Sequence, residues 1–273
     1  MNKLLNKRRL AENVIEYVFD AKDVVRNAKA GQFVILRVDK DGERVPFTIC
    51  DYDKEKGTLT LLVQTVGYTT AKLAKLEVGD TIHDLVGPLG NPTDLSHAKR
   101  VLLVGGGIGT AVIYPQSKQL KELNKRVDVI LGARDKSLLM YEEEFAKNCE
   151  NVYIMTDNGS KGEKGFVTDK LKQLVESGEK YDVVFAVGPL VMMKAVSDVT
   201  REYGIETVVS MNSIMVDGTG MCGGCRVSVG GETKYSCVDG PEFDGHKVDF
   251  DEAIARSTFY KDQEEEQFCK IRG

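Results

Sequence analysis

Val101-Leu-Leu-Val-Gly105-Gly-Gly-Ile108-Gly109-Thr110-Ala-Val-Ile113 is the stretch around which the rest of this 273-residue chain can be arranged. A β-branched run ends in a glycine loop, and a segment of helical periodicity follows at once. That order is the context a phosphate-binding turn requires, because backbone N–H groups at a helix start point at the anion. The same alternation continues, with strands expected over 127–133, 152–156, 183–187 and 207–209 and helices near 110–123, 141–149, 167–177 and 190–203. It predicts a doubly wound parallel sheet over residues 98–210, with ligands at the carboxyl ends of the strands.

The loop is not the Gly-x-Gly-x-x-Gly dinucleotide fingerprint. Counted from Gly105 the third glycine position is Thr110, and from Gly107 it is Val112. The second strand ends in Gly132-Ala133-Arg134, where an acid would hold ribose hydroxyls. A simple Rossmann dehydrogenase is therefore not expected. Arg134 is a candidate for a ribose or a 2′-phosphate, and one arginine does not separate NAD from NADP. Met192-Met193 fits helix core better than a cofactor contact.

Residues 1–97 have a different texture. β-Branched runs over 14–19, 32–38, 45–49 and 58–66 alternate with turn signals at Asp41-Gly42 and Lys56-Gly57, and one helix-like segment, 69–76, interrupts them. This predicts a small antiparallel β-barrel. Gly67-Tyr68-Thr69-Thr70 opens the short helix, so N–H groups and two hydroxyls are expected to face phosphate oxygens there. Gly79-Asp80 and Gly87-Pro88-Leu89-Gly90 fit either the same wall or plain turns.

Residues 211–273 carry the metal chemistry. Asp217-Gly-Thr-Gly-Met-Cys222-Gly-Gly-Cys225 is followed after eleven residues by Cys237, so three of the six cysteines share one window. Thiolates gathered this closely favour zinc or an iron–sulfur centre. A zinc ribbon closes its tetrahedron with a second Cys-x-x-Cys or two histidines. Here only Cys237 follows, with His246 nine residues beyond it. Gly218, Gly220, Gly223 and Gly224 let backbone approach a cluster and aim N–H groups at its sulfurs, which favours [2Fe–2S]. Four ligands are needed; Cys222, Cys225 and Cys237 supply three, and Asp217 is placed to be the fourth. The Asp-Gly pair also fits a turn. Gly230-Gly231 reads as a hairpin turn that returns Cys237 to the end where Cys225 lies. Residues 240–245 read as a loop over the site, 248–263 as a polar helix, and 262–266 as a solvated terminus.

The cysteine window resembles the electron-transfer subunit of dihydroorotate dehydrogenase, where Cys-x4-Cys-x2-Cys-x11-14-Cys binds [2Fe–2S]; Asp217 stands at the first cysteine position. It resembles more closely the small subunit of NADH-dependent ferredoxin:NADP oxidoreductase, a relative of the sulfide dehydrogenase small subunit, which has this Asp-plus-three-Cys pattern. The likeness runs from Leu4 to about Tyr260. Arg44-Val45-Pro46-Phe47-Thr48 resembles the Arg-x-Tyr-Ser flavin strand of the ferredoxin reductase superfamily. That implies an arginine on the FAD pyrophosphate, an aromatic against the isoalloxazine ring and the Thr48 hydroxyl near flavin N5. Arg44 stands one residue early, with Val45 in its place. The loop through Gly107, Ile108, Gly109 and Thr110, and the pair Gly188-Pro189, resemble the nicotinamide-binding loops of that superfamily, with Asp157 on the nucleotide side of the groove.

The resemblance implies a subunit that passes electrons between NAD(P)H, FAD and a [2Fe–2S] cluster. It further implies a heterodimer with a larger flavin and iron–sulfur subunit, through which ferredoxin is reached. An electron-transfer subunit of a dihydroorotate dehydrogenase is the alternative, and a zinc-stabilised nucleotide-binding protein without redox activity is the alternative of another class.

Composition agrees with an ordinary globular chain: 42% hydrophobic and 29% charged residues, which suits two cores. A net charge of −5 offers no electrostatic reason to bind nucleic acid. No apolar run is long enough to span a membrane, and the chain is expected in the cytoplasm, where disulfides are rare. Cys50, Cys149 and Cys269 are expected as buried or incidental thiols, Lys7, Arg8 and Arg9 as a solvated strand edge, and the three histidines as isolated.

Overall fold

A computed structural model of the chain describes residues 2–259 together with Gln263 and Glu266. The N-terminal strands are β1 (Leu4–Ala11), β2 (Val14–Asp20), β3 (Phe33–Arg37), β4 (Val45–Thr48), β5 (Asp51–Asp53), β6 (Thr58–Gln64) and β7 (Asp84–Leu89), with short helices α1 (Lys22–Val25) and α2 (Tyr68–Leu73). They make two antiparallel sheets, β1-β2-β6-β5 and β4-β3-β7. The sheets close over Tyr17, Phe19, Val34, Leu36, Leu59 and Leu61.

Alternation along β3 gives the barrel an inner and an outer apolar face. Val34 and Leu36 point into that core, while Phe33 and Ile35 point outward to a separate apolar cluster with Met215, Cys225 and Cys237. The antiparallel barrel expected from the sequence is present, and β1 is its basic edge strand. The short elements α1 and β5 carried no readable pattern, and Gly87-Pro88, read as turn or wall, lies inside β7. Proline is tolerated there because β7 is an edge strand and its missing N–H breaks no ladder.

The middle of the chain runs β8 (Arg100–Gly106), α3 (Thr110–Glu122), β9 (Arg126–Ala133), α4 (Glu142–Asn148), β10 (Asn151–Thr156), β11 (Glu163–Lys164), α5 (Val167–Glu176), β12 (Val183–Val187), α6 (Leu190–Glu202) and β13 (Glu206–Ser210). The C-terminal part adds β14 (Arg226–Val229), β15 (Glu232–Tyr235), β16 (Glu242–Asp244) and α7 (Phe250–Ser257). The large sheet is ordered β11-β10-β9-β8-β12-β13-β16. Its first six strands are parallel, and the order reverses between β8 and β12, where Gly105 lies beside Val187. A crevice opens at such a switch point.

One reading of the C-terminal part needs correction. Residues 240–245 are not simply a covering loop: β16 pairs antiparallel with β13, Val209 opposite Phe243. The open edge of β13 demands a partner, and three residues are too few for a strand pattern to show in sequence. Within the stretch 248–263 read as a helix, α7 covers Phe250–Ser257 and ends in a turn at Thr258 and Phe259; residues 260–262 lie outside the described residues, and Gln263 is helical. Cys269 and most of 262–266 lie outside the described residues. Cys50 is wholly buried and Cys149 half-buried, as expected. Among the described residues no helix is long and apolar enough to cross a membrane.

Candidate functional site

The chain between β13 and β14 has no regular structure, and Asp217 sets its course. Its carboxylate accepts hydrogen bonds from the backbone N–H groups of Thr219 (3.0 Å), Met221 (2.9 Å) and Cys222 (3.0 Å). These bonds, that from Thr219 foremost, hold its pKa below the usual carboxylate range. Gly218, Gly220 and Gly223 take φ of +76°, +87° and +68°, which lets the loop close around the carboxylate.

The four expected ligands stand as two pairs. Asp217 Oδ1 lies 3.6 Å from Cys222 Sγ, and Cys225 Sγ lies 3.2 Å from Cys237 Sγ. The hairpin makes the second pair: β14 and β15 place Arg226 opposite Tyr235, and Ser236 N–H donates to Cys225 O at 3.0 Å. Among the described residues no three His, Cys, Asp or Glu side chains converge on one point. Thiolate bonds of about 2.3 Å set tetrahedral ligands about 3.8 Å apart, so each pair spans one edge of a tetrahedron. Two irons sharing four protein ligands ask for two such pairs, whereas one zinc asks for a single convergence. The donor set fits [2Fe–2S]. The Cys237 thiol, whose pKa is raised by burial and by Cys225 beside it, would release its proton on metal binding.

The cluster loop is seated on the N-terminal barrel. Phe33, Ile35 and Leu89 pack against Met215, Cys225 and Cys237. A Cβ on Gly218 would come within 2.9 Å of both Ile35 and Leu89, so glycine is what allows the approach. Asn91 donates from its backbone N–H to Gly240 O (2.7 Å) and from its amide to Val238 O (3.0 Å). Arg256 of α7 donates to Gly224 O (3.2 Å), and Thr93 donates to Glu242 (2.6 Å). Asn91, Arg256 and Glu242 belong to no motif. Nothing local marks them, because their partners lie far away in sequence.

Register sorts the flavin-strand residues onto two faces. Phe33 lies opposite Thr48 and Ile35 opposite Pro46, while Val34 faces Phe47 across the pair. Cross-strand partners share a face. Thr48 and Pro46 therefore lie on the outer face with Phe33 and Ile35. Phe47, expected against the flavin ring, packs half-buried against the barrel core with Val34 and Leu36. Arg44, expected at a phosphate, sends its guanidinium to the cluster loop: Nε to Val216 O at 3.1 Å and Nη2 to Asp217 O at 3.3 Å.

At the start of α2 both candidate hydroxyls are engaged. Thr70 Oγ1 accepts from the N–H groups of Val66 (3.0 Å) and Gly67 (2.9 Å), and the Thr69 hydroxyl donates to Glu43. What the helix start offers an anion is its backbone N–H.

The glycine loop after β8 divides into structural and open positions. A Cβ on Gly109 would lie 2.2 Å from the backbone carbonyl of Val187, so this glycine lets α3 lean on β12. Gly107, at φ +55°, faces open space at the switch point, a cradle that suits a ligand. Gly106 and Gly188 both abut the half-buried Met192, while Met193 is fully buried in the core. Thr110 is buried at the first turn of α3. Arg134 and Asp157 lie at the ends of β9 and β10, and Asp157 N–H ties the two loops through Ala133 O (3.1 Å). Ile108, Gly188, Pro189, Arg134 and Asp157 thus share the carboxyl edge of the sheet with Gly107. Two histidines expected to be isolated have neighbours: His97 lies 3.3 Å from Glu206, both exposed, and His246 meets the Thr200 hydroxyl at 3.0 Å.

Comparison with known proteins adds three family matches. Residues 2–93 match an oxidoreductase FAD-binding domain, residues 103–198 an oxidoreductase NAD-binding domain, and residues 212–249 the iron–sulfur cluster binding domain of dihydroorotate dehydrogenase B. The chain is 45% identical over 276 residues to a dihydroorotate dehydrogenase B (NAD+) electron transfer subunit homolog of Thermotoga maritima, covering 100% of this chain and 97% of that one. It is 36% identical over 252 residues to the dihydroorotate dehydrogenase B (NAD+) electron transfer subunit of Bacillus caldolyticus, covering 89% and 95%. A solved structure of NADH-dependent reduced ferredoxin-NADP oxidoreductase, studied for flavin-based electron bifurcation, contains a chain 43% identical, with a TM-score of 0.95 and coverage of 100% and 98%.

Proposed function

Because the chain belongs to the family of dihydroorotate dehydrogenase B electron-transfer subunits and their homologues, we propose that it is the electron-transfer subunit of an NADH-dependent ferredoxin:NADP oxidoreductase. The observation that carries this reading is the seating of the cluster cysteines on the outer face of the sheet that bears Thr48. When bound, NAD(P)H supplies a hydride, FAD splits the electron pair and [2Fe–2S] carries single electrons.

The chain's own residues provide placement and exclude water. We assign Thr48 to flavin N5, the open Gly107 cradle with Gly188 and Pro189 to the nicotinamide nucleotide, and Asp217, Cys222, Cys225 and Cys237 to iron. Phe33 and Ile35, 3% and 0% exposed, form a dry wall beside Cys225 and Cys237, and low solvent access is one of the factors that set a cluster's potential. A carboxylate oxygen is a harder ligand than a thiolate, so an iron held by Asp217 and Cys222 would differ chemically from one held by Cys225 and Cys237.

Met221 is 87% exposed, and Ile214, Val216 and Val238 stand exposed beside it. Such an apolar rim at the cluster end suits a heterodimer with a larger flavin and iron–sulfur subunit, through which ferredoxin is reached. This rim supports the ferredoxin:NADP reading and a dihydroorotate dehydrogenase reading alike; the Asp217 ligand position favours the former.

The holoprotein, purified anaerobically, should show flavin bands overlaid by iron–sulfur absorption, both bleached by NADH or NADPH. A colourless zinc protein, or a flavin that reduces while the iron centre keeps its oxidation state throughout, would end the proposal. Asp217→Ala should lower iron content and alter the reduced-cluster EPR signal while FAD stays bound; an unchanged signal would remove Asp217 from the ligand set.

A further inference from the structure

We propose that Arg44 is a positioning residue of the iron–sulfur site, fastening the backbone of Asp217 to the flavin strand, and is not a contact of the FAD pyrophosphate. The proposal rests on the functional assignment of Asp217 as an iron ligand.

The first ground is parity. Side chains alternate along β4, and the cross-strand pairs put Thr48 and Pro46 outward and Phe47 and Val45 toward the barrel core. An arginine three residues before Thr48 would share the face of Phe47. Arg44 precedes Thr48 by four, one residue before β4 begins, and if the extended alternation of β4 continues through it the side chain falls on the face of Pro46 and Thr48. The single departure of this chain from the Arg-x-Tyr-Ser spacing thus delivers the guanidinium to the side on which the cluster loop sits.

The second ground is contact. The guanidinium donates from Nε to Val216 O and from Nη2 to Asp217 O, at 3.1 and 3.3 Å. The planar fork holds two successive carbonyls, one of them belonging to the ligand residue itself. The next residue, Gly218, lies against Ile35 and Leu89, whose side chains a Cβ would press at 2.9 Å. The loop is therefore latched at Asp217 and wedged at Gly218, so the strand bearing Thr48 and the first iron ligand are fixed relative to one another. A permanent positive charge beside that ligand also favours the more negative, reduced form of a cluster.

The test uses the holoprotein and its Arg44→Ala and Arg44→Lys variants, with FAD content, the reduced-cluster EPR spectrum, the cluster reduction potential and iron release to a chelator as readouts. With Arg44→Ala, FAD should stay stoichiometric, the cluster potential should move to a more negative value, the EPR line shape should change, and iron release should quicken about tenfold, as for loss of an outer-shell partner. Arg44→Lys keeps the charge without the fork, so it should restore the potential more fully than the retention of iron. Loss of FAD from Arg44→Ala with an unaltered cluster signal and potential would overturn the proposal in favour of the pyrophosphate. So would the absence of change in all four readouts. Should Arg44→Ala fold poorly, the lysine protein decides by the same measurements. A wild-type protein without an iron–sulfur signal would instead count against the functional reading itself.

Discussion

The chain contains two glycine-rich loops that look alike in sequence and are held in opposite ways. In the loop after β8, the decisive contact is Gly109 against the backbone of Val187, at the end of the neighbouring parallel strand of the same sheet. In the cluster loop, the decisive contacts of Gly218, Arg44, Asn91 and Arg256 all cross to other parts of the molecule. The first loop is a consequence of its domain. The second exists only where the barrel, the linker after it and the terminal helix meet, so damage to either should have a different reach.

Gly109→Ala is the largest expected disruption. Its Cβ would meet a backbone carbonyl that cannot move aside, and such overpacking should cost more than about 3 kcal/mol, read as a collapse of the denaturation midpoint of the whole chain. Gly218→Ala should cost about 2 kcal/mol, since it adds φ strain but meets only the side chains of Ile35 and Leu89, which can give. Its damage should be local: iron content falls while nucleotide binding, followed by fluorescence titration, is kept. If Gly218→Ala abolished nucleotide binding too, the two loops would not be independent.

Glu242 sharpens the comparison through pH. Its carboxyl is bonded to Thr93 at the junction of the three parts, and burial pushes it from the ordinary 4.5 up to about 7. Asp94, Glu206 and Asp244 line the same cavity of about 360 Å³, with His97 beyond Glu206. Because the folded state binds this proton more tightly than the unfolded chain, its contribution to stability is complete below about pH 4.5 and is lost as pH rises through about 7. Glu242→Gln should flatten that decline and stabilise the protein at pH 8 by about 2 kcal/mol, the ionisation cost less the weaker bond an amide accepts. Melting temperatures from pH 5 to pH 8 would show it; parallel profiles for the two proteins would remove Glu242 from the junction's energetics. Met221→Ser is the smallest effect on the chain itself, within about 0.5 kcal/mol, because the side chain is exposed. It should nevertheless weaken co-purification with a larger subunit if the rim is the docking face.

Legibility followed the same division. The parallel sheet was readable because each strand and helix is long and periodic, so β12 runs over the residues expected and α3 ends one short. The cysteine spacing was readable because three of the six cysteines fall within one short stretch. The strand β16 was not, since three residues carry no period and only the free edge of β13 makes them a strand. Nor were the engaged hydroxyls of Thr69 and Thr70, because Glu43 and the helix cap compete for them in space.

Reading along the chain was enough to set out the candidate chemistries: a barrel rich in β-branched residues, a strand–glycine–helix repeat, and four candidate donors in one short window. Those are local properties, set by side-chain period and by residue types a few positions apart. That the donors form two pairs, that Phe47 turns to the core, and that Arg44 reaches Asp217 became visible only in the folded molecule. Each of these depends on register between strands or on contact between distant parts of the chain, and a pattern along one strand cannot say which face its partner will cover.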